Sequence, residues 1–234
     1  MQGPVYNLAV LVFCLGLTMC TGCAETAERF TSFGSRLMFR TPEQVLNIKT
    51  PADRIKELKK LAKAAPKQPP AEQEKMVATL SAEYQNESDP ILRRQLLRTL
   101  AVYPQTAAGA VVLAAVSDSD VETRRTACVC LGIRGDKGAV TELTRLIGSE
   151  TNFDVRIAAV RALGQTGDPS ALLPLSEAII DPAPAMQARA HESLVSVSGR
   201  DYGNDVQAWR QYAQTGKSDA PEVSIAERVR RTLF

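Results

Sequence analysis

A segment of eight residues occurs four times along the chain with nearly constant spacing. The copies read RRQLLRTL, RRTACVCL, RIAAVRAL and QARAHESL, and each closes on a leucine. The closing leucines are Leu100, Leu131, Leu163 and Leu194, which lie 31, 32 and 31 residues apart. A period of this length is typical of stacked structural repeats, and it predicts that Leu131 and Leu163 are buried between neighbouring repeats.

A second apolar segment follows each of the first three copies after a short break. These second segments cover 107–116, 138–147 and 169–180. The breaks contain the glycines and prolines that end one helix and start the next. The first three copies are also preceded by a short polar residue of the type that caps a helix N-terminus, namely Asp89, Asp120 and Asn152. The pattern predicts a unit of helix, turn and helix.

Two less regular pairs of segments complete the pattern. Residues 51–65 and 70–84 predict a degenerate first repeat, as expected where one face of a stack meets water. After the fourth copy, Tyr202 and Trp209 are predicted to cover the other end of the core. The sequence therefore predicts an all-α fold, a right-handed α-solenoid of about five helix-turn-helix repeats over 51–214.

The composition agrees with stacked helices and argues against a nucleic-acid partner. Hydrophobic residues make up 44% of the chain, charged residues 23% and aromatic residues only 5%. The repeat region is rich in Ala, Leu, Val, Arg and Glu, which suits helices better than the core of a sheet. The formal net charge of +2 lacks the concentrated basic excess of most nucleic-acid-binding proteins.

One stretch of the repeat region resembles a known family. VRIAAVRALGQTGDPSALLPL, at 155–175, is similar to the HEAT-like repeat named after phycobilin lyases. The resemblance extends over about 51–214 and implies the fold, while it says little about function. It also implies a structural ladder of arginines and aspartates that joins successive repeats, here Arg93, Arg124, Arg156, Asp89, Asp120 and Asp154. Gln187 replaces the arginine in the last copy.

The N-terminal segment predicts export and a lipid anchor. Residues 8–19 form an uncharged apolar run of 12 residues. Such a run suits the core of a signal peptide and is shorter than the roughly 20 residues that span a bilayer. The following CTGCA at 20–24 resembles the bacterial lipobox, which makes Cys23 the predicted lipid carrier. An ordinary cleaved signal peptide is the alternative.

These features predict a lipoprotein signal peptide over 1–22 and a mature protein that begins at Cys23. Acyl chains such as palmitate would hold it at a bacterial envelope membrane, on the periplasmic side or at the cell surface. Residues 23–50 predict a tether with a short amphipathic helix that lies on the membrane or on the first repeat. Residues 215–234 predict a linker and a basic C-terminal helix, which docks on a partner or an anionic surface, or folds back on the last repeat.

The chain lacks the motifs of common enzyme chemistry. Cys128 and Cys130 lie two positions apart on a predicted helix, so their side chains diverge, which favours buried apolar thiols over a disulfide or a metal pair. His191, the only histidine, aligns with Leu97 and Val160 and is predicted to pack in the core. The sequence has no P-loop, nucleophile elbow or dinucleotide fingerprint. It predicts no catalytic site, metal or cofactor.

The leading functional interpretation is a membrane-tethered repeat scaffold or adaptor that binds proteins in the bacterial cell envelope. The alternatives are a lyase-like or chromophore-handling enzyme, which the repeat's name suggests, and a structural envelope lipoprotein. The resemblance implies that second helices line the concave side, so partners are predicted at Lys137, Glu142, Arg145, Ser176 and Glu177. The rival surface is the basic C-terminal helix with Arg228, Arg230 and Arg231.

Overall fold

The computed structural model describes residues 50–136 and 138–224 of the chain. Within these ranges all regular structure is helical, with ten α-helices, three short 3₁₀ turns and no strand. None of these helices is long and apolar enough to cross a bilayer. Several predicted features lie outside the described residues, namely the signal peptide, Cys23, nearly all of the 23–50 tether, Lys137, Arg228, Arg230 and Arg231.

The ten helices form five consecutive pairs, as the repeat spacing predicts. In chain order they are α1 (Pro51–Ala64), α2 (Pro70–Asn86), α3 (Pro90–Leu100), α4 (Thr106–Ala114), α5 (Val121–Arg134), α6 (Ala139–Ser149), α7 (Phe153–Thr166), α8 (Leu172–Ala178), α9 (Pro184–Ser198) and α10 (Val206–Thr215). Odd-numbered helices are the first helices of their pairs, and even-numbered ones are the second helices. The prediction of an all-α solenoid is confirmed.

Side-chain caps and glycines set the ends of the helices in the middle repeats. Asp89, Asp120 and Asn152 each accept a hydrogen bond from a backbone N–H in the first turn of the helix that follows. Gly135 and Gly167 follow α5 and α7 with φ angles of 65° and 66°, a left-handed conformation that strains residues with a Cβ. The predicted caps are therefore confirmed, and α5 and α7 each end at a glycine in the left-handed conformation.

The first helices form a continuous layer in which each contacts the next along the chain. The most extensive of these contacts join α5 to α7 and α7 to α9. The second helices form the other layer, where α6 packs mainly on α7, and α8 packs mainly on α9 and α10. Contacts are sparse between α4 and α6 and between α6 and α8, so surface cavities open between these second helices.

The repeated apolar positions form one core that runs through all five pairs. The closing leucines Leu100, Leu131, Leu163 and Leu194 are buried, and so are the equivalent positions of the second helices, Val112, Leu143 and Leu175. Each repeat thus buries its apolar face against the next one, which is how solenoids acquire a common core. The register that the leucine spacing predicts is confirmed.

The C-terminal end of the core is closed by an aromatic corner. Trp209 is fully buried, its indole N–H donates to the carbonyl of Gly203 over 2.8 Å, and its ring meets that of Tyr202 edge-on at 5.0 Å. The described part of the predicted linker then folds back, because the N–H of Val223 donates to the carbonyl of Asp201 over 2.7 Å. The last repeat is therefore covered by aromatic side chains, as predicted, and also by linker backbone.

Candidate partner-binding surfaces

The recurrent arginines form a ladder along one edge of the stack. Both Nε and Nη2 of Arg93 donate to the carboxylate of Asp118, over 3.1 and 2.9 Å. Arg124 likewise donates from Nε and Nη2 to the carboxylate of Glu150, over 2.8 and 3.1 Å, and its Nη1 donates to the backbone carbonyl of Asp118. Arg156 pairs with Asp181. Each arginine thus ties its own helix to the loop that leads into the next repeat.

The carboxylates predicted for this ladder are wrong. Asp89 is an N-cap, Asp120 caps α5 and accepts from Arg94 over 3.0 Å, and Asp154 is exposed in the first turn of α7. The actual partners lie two residues before each cap position, in the loop that the arginine can reach. A periodic signal was present, because the partners recur at nearly the spacing of the leucines, at Asp118, Glu150 and Asp181.

The geometry of the ladder has an electrostatic consequence and a defined end. The hydrogen bonds from Arg124 hold the pKa of the Glu150 carboxyl below its usual range, despite the burial that opposes ionisation. In the last copy, Gln187 forms no ion pair and makes only the hydrogen bond to the backbone: its Nε2 donates to the carbonyl of Asp181 over 2.8 Å, as Arg124 does to that of Asp118. The ion-pair ladder therefore stops at the last repeat.

The predicted partner surface on the second helices is partly present. Arg145 Nε donates to Glu142 Oε1 over 2.7 Å, and Arg145 is exposed. Glu177 is exposed beside a cavity of about 290 Å³ between α6 and α8, which Ile147 and Ile180 also line. Ile180 is 60% exposed. We call Glu142, Arg145, Glu177 and this cavity the second-helix surface.

Ser176 does not belong to that surface, and its prediction is wrong. Its side chain is fully buried, and its hydroxyl donates to the carbonyl of Leu173 over 2.7 Å. Leu172, Leu175, Ser176 and Ile179 follow the i, i+3, i+4, i+7 spacing of one helical face, and all four are buried. A 3₁₀ turn at Pro169–Ala171 precedes α8, so the predicted helix over 169–180 is a shorter α-helix, Leu172–Ala178, with a 3₁₀ entry.

A second cavity opens on the same side, between α4 and α6. It measures about 320 Å³ and is lined by Leu113, Leu131, Arg134 and Asp136, among others. The side chain of Arg134 is almost completely buried, and its Nε donates to Asp136 over 2.6 Å while its Nη atoms donate to backbone carbonyls before α4. Arg134 therefore ties α5 to the turn between α3 and α4, the two helices of the preceding repeat.

The opposite side of the stack carries a groove that sequence reasoning missed. It lies between α3 and α5, measures about 320 Å³, and its main outward lining residues are Arg98, Ala101, Val102, Arg125, Val129 and Ile133. Val102, Val129 and Ile133 are 43%, 37% and 69% exposed. We call this the first-helix groove. Its signal was periodic, because Arg98 and Val129 each lie two residues before a closing leucine, and Val102 and Ile133 lie two after.

Two family models match this part of the chain. The model described as HEAT repeats matches residues 77–159, from α2 into α7. The model described as PBS lyase HEAT-like repeat matches residues 155–181, which cover most of α7 and all of α8. The protein contains a HEAT-repeat domain. A comparison with curated proteins gives no match.

Within the HEAT-repeat domain both cysteines are buried free thiols, as predicted. Burial raises the pKa of the Cys128 thiol to about 12 and that of Cys130 to about 11. At neutral pH both are therefore protonated, so they are poor nucleophiles and poor metal ligands. Among the described residues, no group of three or more His, Cys, Asp or Glu side chains is placed to hold a metal ion.

His191 departs from the packing role that its alignment predicts. Leu97 and Val160 are fully buried, whereas His191 is partly exposed, with its Nε2 2.8 Å from Asp201 Oδ1. Its ring also approaches Trp209 edge-on, with centroids 6.4 Å apart. Because no further first helix packs on α9 in the described structure, this position faces the aromatic corner and accepts a polar side chain.

Proposed function

We propose that the protein is a membrane-tethered HEAT-repeat scaffold of the bacterial cell envelope that binds protein partners. One observation carries the scaffold part of the proposal: large apolar side chains stand exposed beside cavities between successive repeats, as Ile180 does. A partner side chain that enters such a cavity removes both surfaces from water, and repeat proteins bind partners along extended surfaces of this kind.

The second-helix surface is the partner site that this proposal favours. Its cavity between α6 and α8 is lined by Ile147, Pro174 and Ile180 together with the acidic Glu177 and Asp181, and the Glu142–Arg145 pair lies on the same helix as Ile147. An apolar centre with a charged rim is the usual anatomy of a reversible protein contact. We also propose that the protein acts by binding and not by catalysis; burial of Cys128 and Cys130, which raises the pKa of both thiols, argues against one class of catalysis, that by a cysteine nucleophile.

Exchanging the charges of Glu142 and Arg145 is expected to weaken partner capture. In the variant Glu142→Arg with Arg145→Glu, the i, i+3 pair can re-form, so the domain should keep its helicity and melt within about 2 °C of the wild type. The partner meets inverted charges, and we expect its recovery from detergent-solubilised membranes to fall about tenfold. Quantitative mass spectrometry of captured proteins measures the loss.

A matched control is the same exchange of Arg189 and Glu192 in α9, another i, i+3 pair. It should leave capture unchanged. Deletion of 225–234 tests the rival basic helix and spares the linker contact of Val223 with Asp201. If capture survives the exchange at Glu142 and Arg145 but vanishes on this deletion, the second-helix surface is not the partner site.

The membrane tether has its own test at Cys23. Because CTGCA at 20–24 resembles the lipobox, we expect the mature N-terminal peptide from membrane fractions to begin at Cys23. We expect it to carry several acyl chains, since more than one chain is needed for stable anchoring. Cys23→Ser should move the protein out of the membrane fraction, whereas Cys20→Ser should not. If mass spectrometry finds that the mature protein begins at another residue and carries no lipid, the membrane tether is ruled out, while the proposal that the protein is a scaffold is not affected.

A further inference from the structure

The outward face of the first helices has a simple layout. Outward positions recur every four residues, at 94 and 98 on α3 with 102 in the turn that follows it, at 125, 129 and 133 on α5, and at 161 and 165 on α7. The leucine register aligns Arg98, Val129 and Arg161 across these three helices. An apolar side chain on α5 is thus flanked by an arginine position on either neighbouring helix.

The apolar part of the first-helix groove is concentrated between α3 and α5. Val129 and Ile133 stand one turn apart on α5, and Val102 lines the same groove from the turn that follows α3. Together they leave a concave apolar patch at a site that no other described segment covers. A concave patch of this kind suits inserted side chains better than a flat surface does.

The two charged residues that line the groove, Arg98 and Arg125, are both basic, and they differ in whether a carboxylate already binds them. Arg98 is exposed and has no carboxylate partner among the described residues, in contrast to Arg94, one turn earlier, which pairs with Asp120. Arg125 pairs with Glu122 at the outer end of α5, and none of the residues that line the groove is acidic. An occupant that covers the apolar patch must therefore supply carboxylates, or it leaves Arg98 without a partner in a drier environment.

We propose that the first-helix groove binds an acidic amphipathic helix of a protein partner. Apolar side chains one turn apart on that helix contact Val102, Val129 and Ile133, and its carboxylates face Arg98 and Arg125. The contact is a second docking site on the proposed scaffold, on the opposite layer from the second-helix surface. It therefore rests on the proposed function for its biological role but is measured independently of it.

A random 16-residue peptide display library, selected on the full-length protein in detergent micelles, tests the groove directly. Enriched peptides should carry apolar residues at i and i+4 with an excess of Asp and Glu. Their affinity should fall at least tenfold in Arg98→Glu and in Ile133→Glu, two substitutions at exposed positions. The matched controls, Lys75→Glu on α2 and Ile180→Glu on the second-helix surface, should bind as tightly as the wild type. Circular dichroism verifies that every variant is folded.

Three outcomes overturn the proposal. The first is that no peptide is enriched, or that enriched peptides are basic or bind Ile133→Glu as well as the wild type. The second is a dimer in sedimentation that Ile133→Glu abolishes, which makes a second copy the occupant. The third is binding to anionic vesicles that Ile133→Glu abolishes while no acidic peptide binds, which makes a membrane the occupant. None of these affects capture through the second-helix surface, so failure of the groove and failure of the scaffold are distinguishable.

Discussion

Replacing Leu163 by alanine is expected to lower the free energy of unfolding by about 2–5 kcal/mol. Leu163 is fully buried in α7, the helix that packs on α5, α6 and α9. The substitution removes apolar contacts and leaves a cavity at the seam between repeats. Because each repeat of a solenoid is stabilised by its neighbours, damage at this seam also weakens the coupling between the two halves of the stack.

Urea unfolding followed by circular dichroism measures this loss. Leu173→Ala is the matched control, because Leu173 is 43% exposed on α8 and the same substitution there should cost less than about 1 kcal/mol. Equal losses at the two leucines would mean that Leu163 is not at the seam that the repeat register defines.

Replacing Gly164 by alanine is expected to destabilise the domain by about 1–3 kcal/mol through overpacking. A Cβ at Gly164 would lie 2.7 Å from the Cα of Ser193, which is backbone of α9 and cannot rotate away. The first helices α7 and α9 would therefore have to separate. Helix propensity acts in the opposite direction, since alanine is favoured over glycine inside a helix by roughly 0.5–1 kcal/mol.

Gly148→Ala is the matched control and should have the opposite sign. Gly148 lies near the end of α6, and nothing stands within 4 Å of a Cβ built there. The substitution should therefore raise the free energy of unfolding by up to about 1 kcal/mol. If Gly164→Ala is also stabilising in thermal or urea unfolding, α7 and α9 do not approach each other as closely at Gly164 as described above.

The leucine spacing predicts the fold because, in a solenoid, the same position of each successive repeat is buried. Every closing leucine meets an equivalent helix on the neighbouring repeat, so one sequence position per repeat reports the same contact. The caps were predictable for a related reason, since Asp120 and Asn152 act within one helical turn and need no tertiary information. Both kinds of position are local or strictly periodic.

The surfaces were harder to predict because they depend on which elements approach one another. Ser176 is a small polar residue of a type common at surfaces, yet it lies on the buried face of α8 with Leu172 and Ile179. Arg94 and Arg98 look alike in sequence, yet Asp120 lies within reach of the first and not of the second. The ladder carboxylates were misassigned because a cap and a ladder partner, two residues apart, have the same chemistry.

Photo-cross-linking in intact cells tests most directly whether the HEAT-repeat surface binds protein. A photoreactive side chain is placed at Ile133 in the first-helix groove, at Glu177 on the second-helix surface, or at Lys75 on α2, each an exposed position in the full-length chain. We expect discrete protein adducts in the membrane fraction from position 177 and, independently, from position 133, with none from position 75. If neither position 133 nor position 177 gives an adduct beyond that of position 75, the protein is not a protein-binding scaffold.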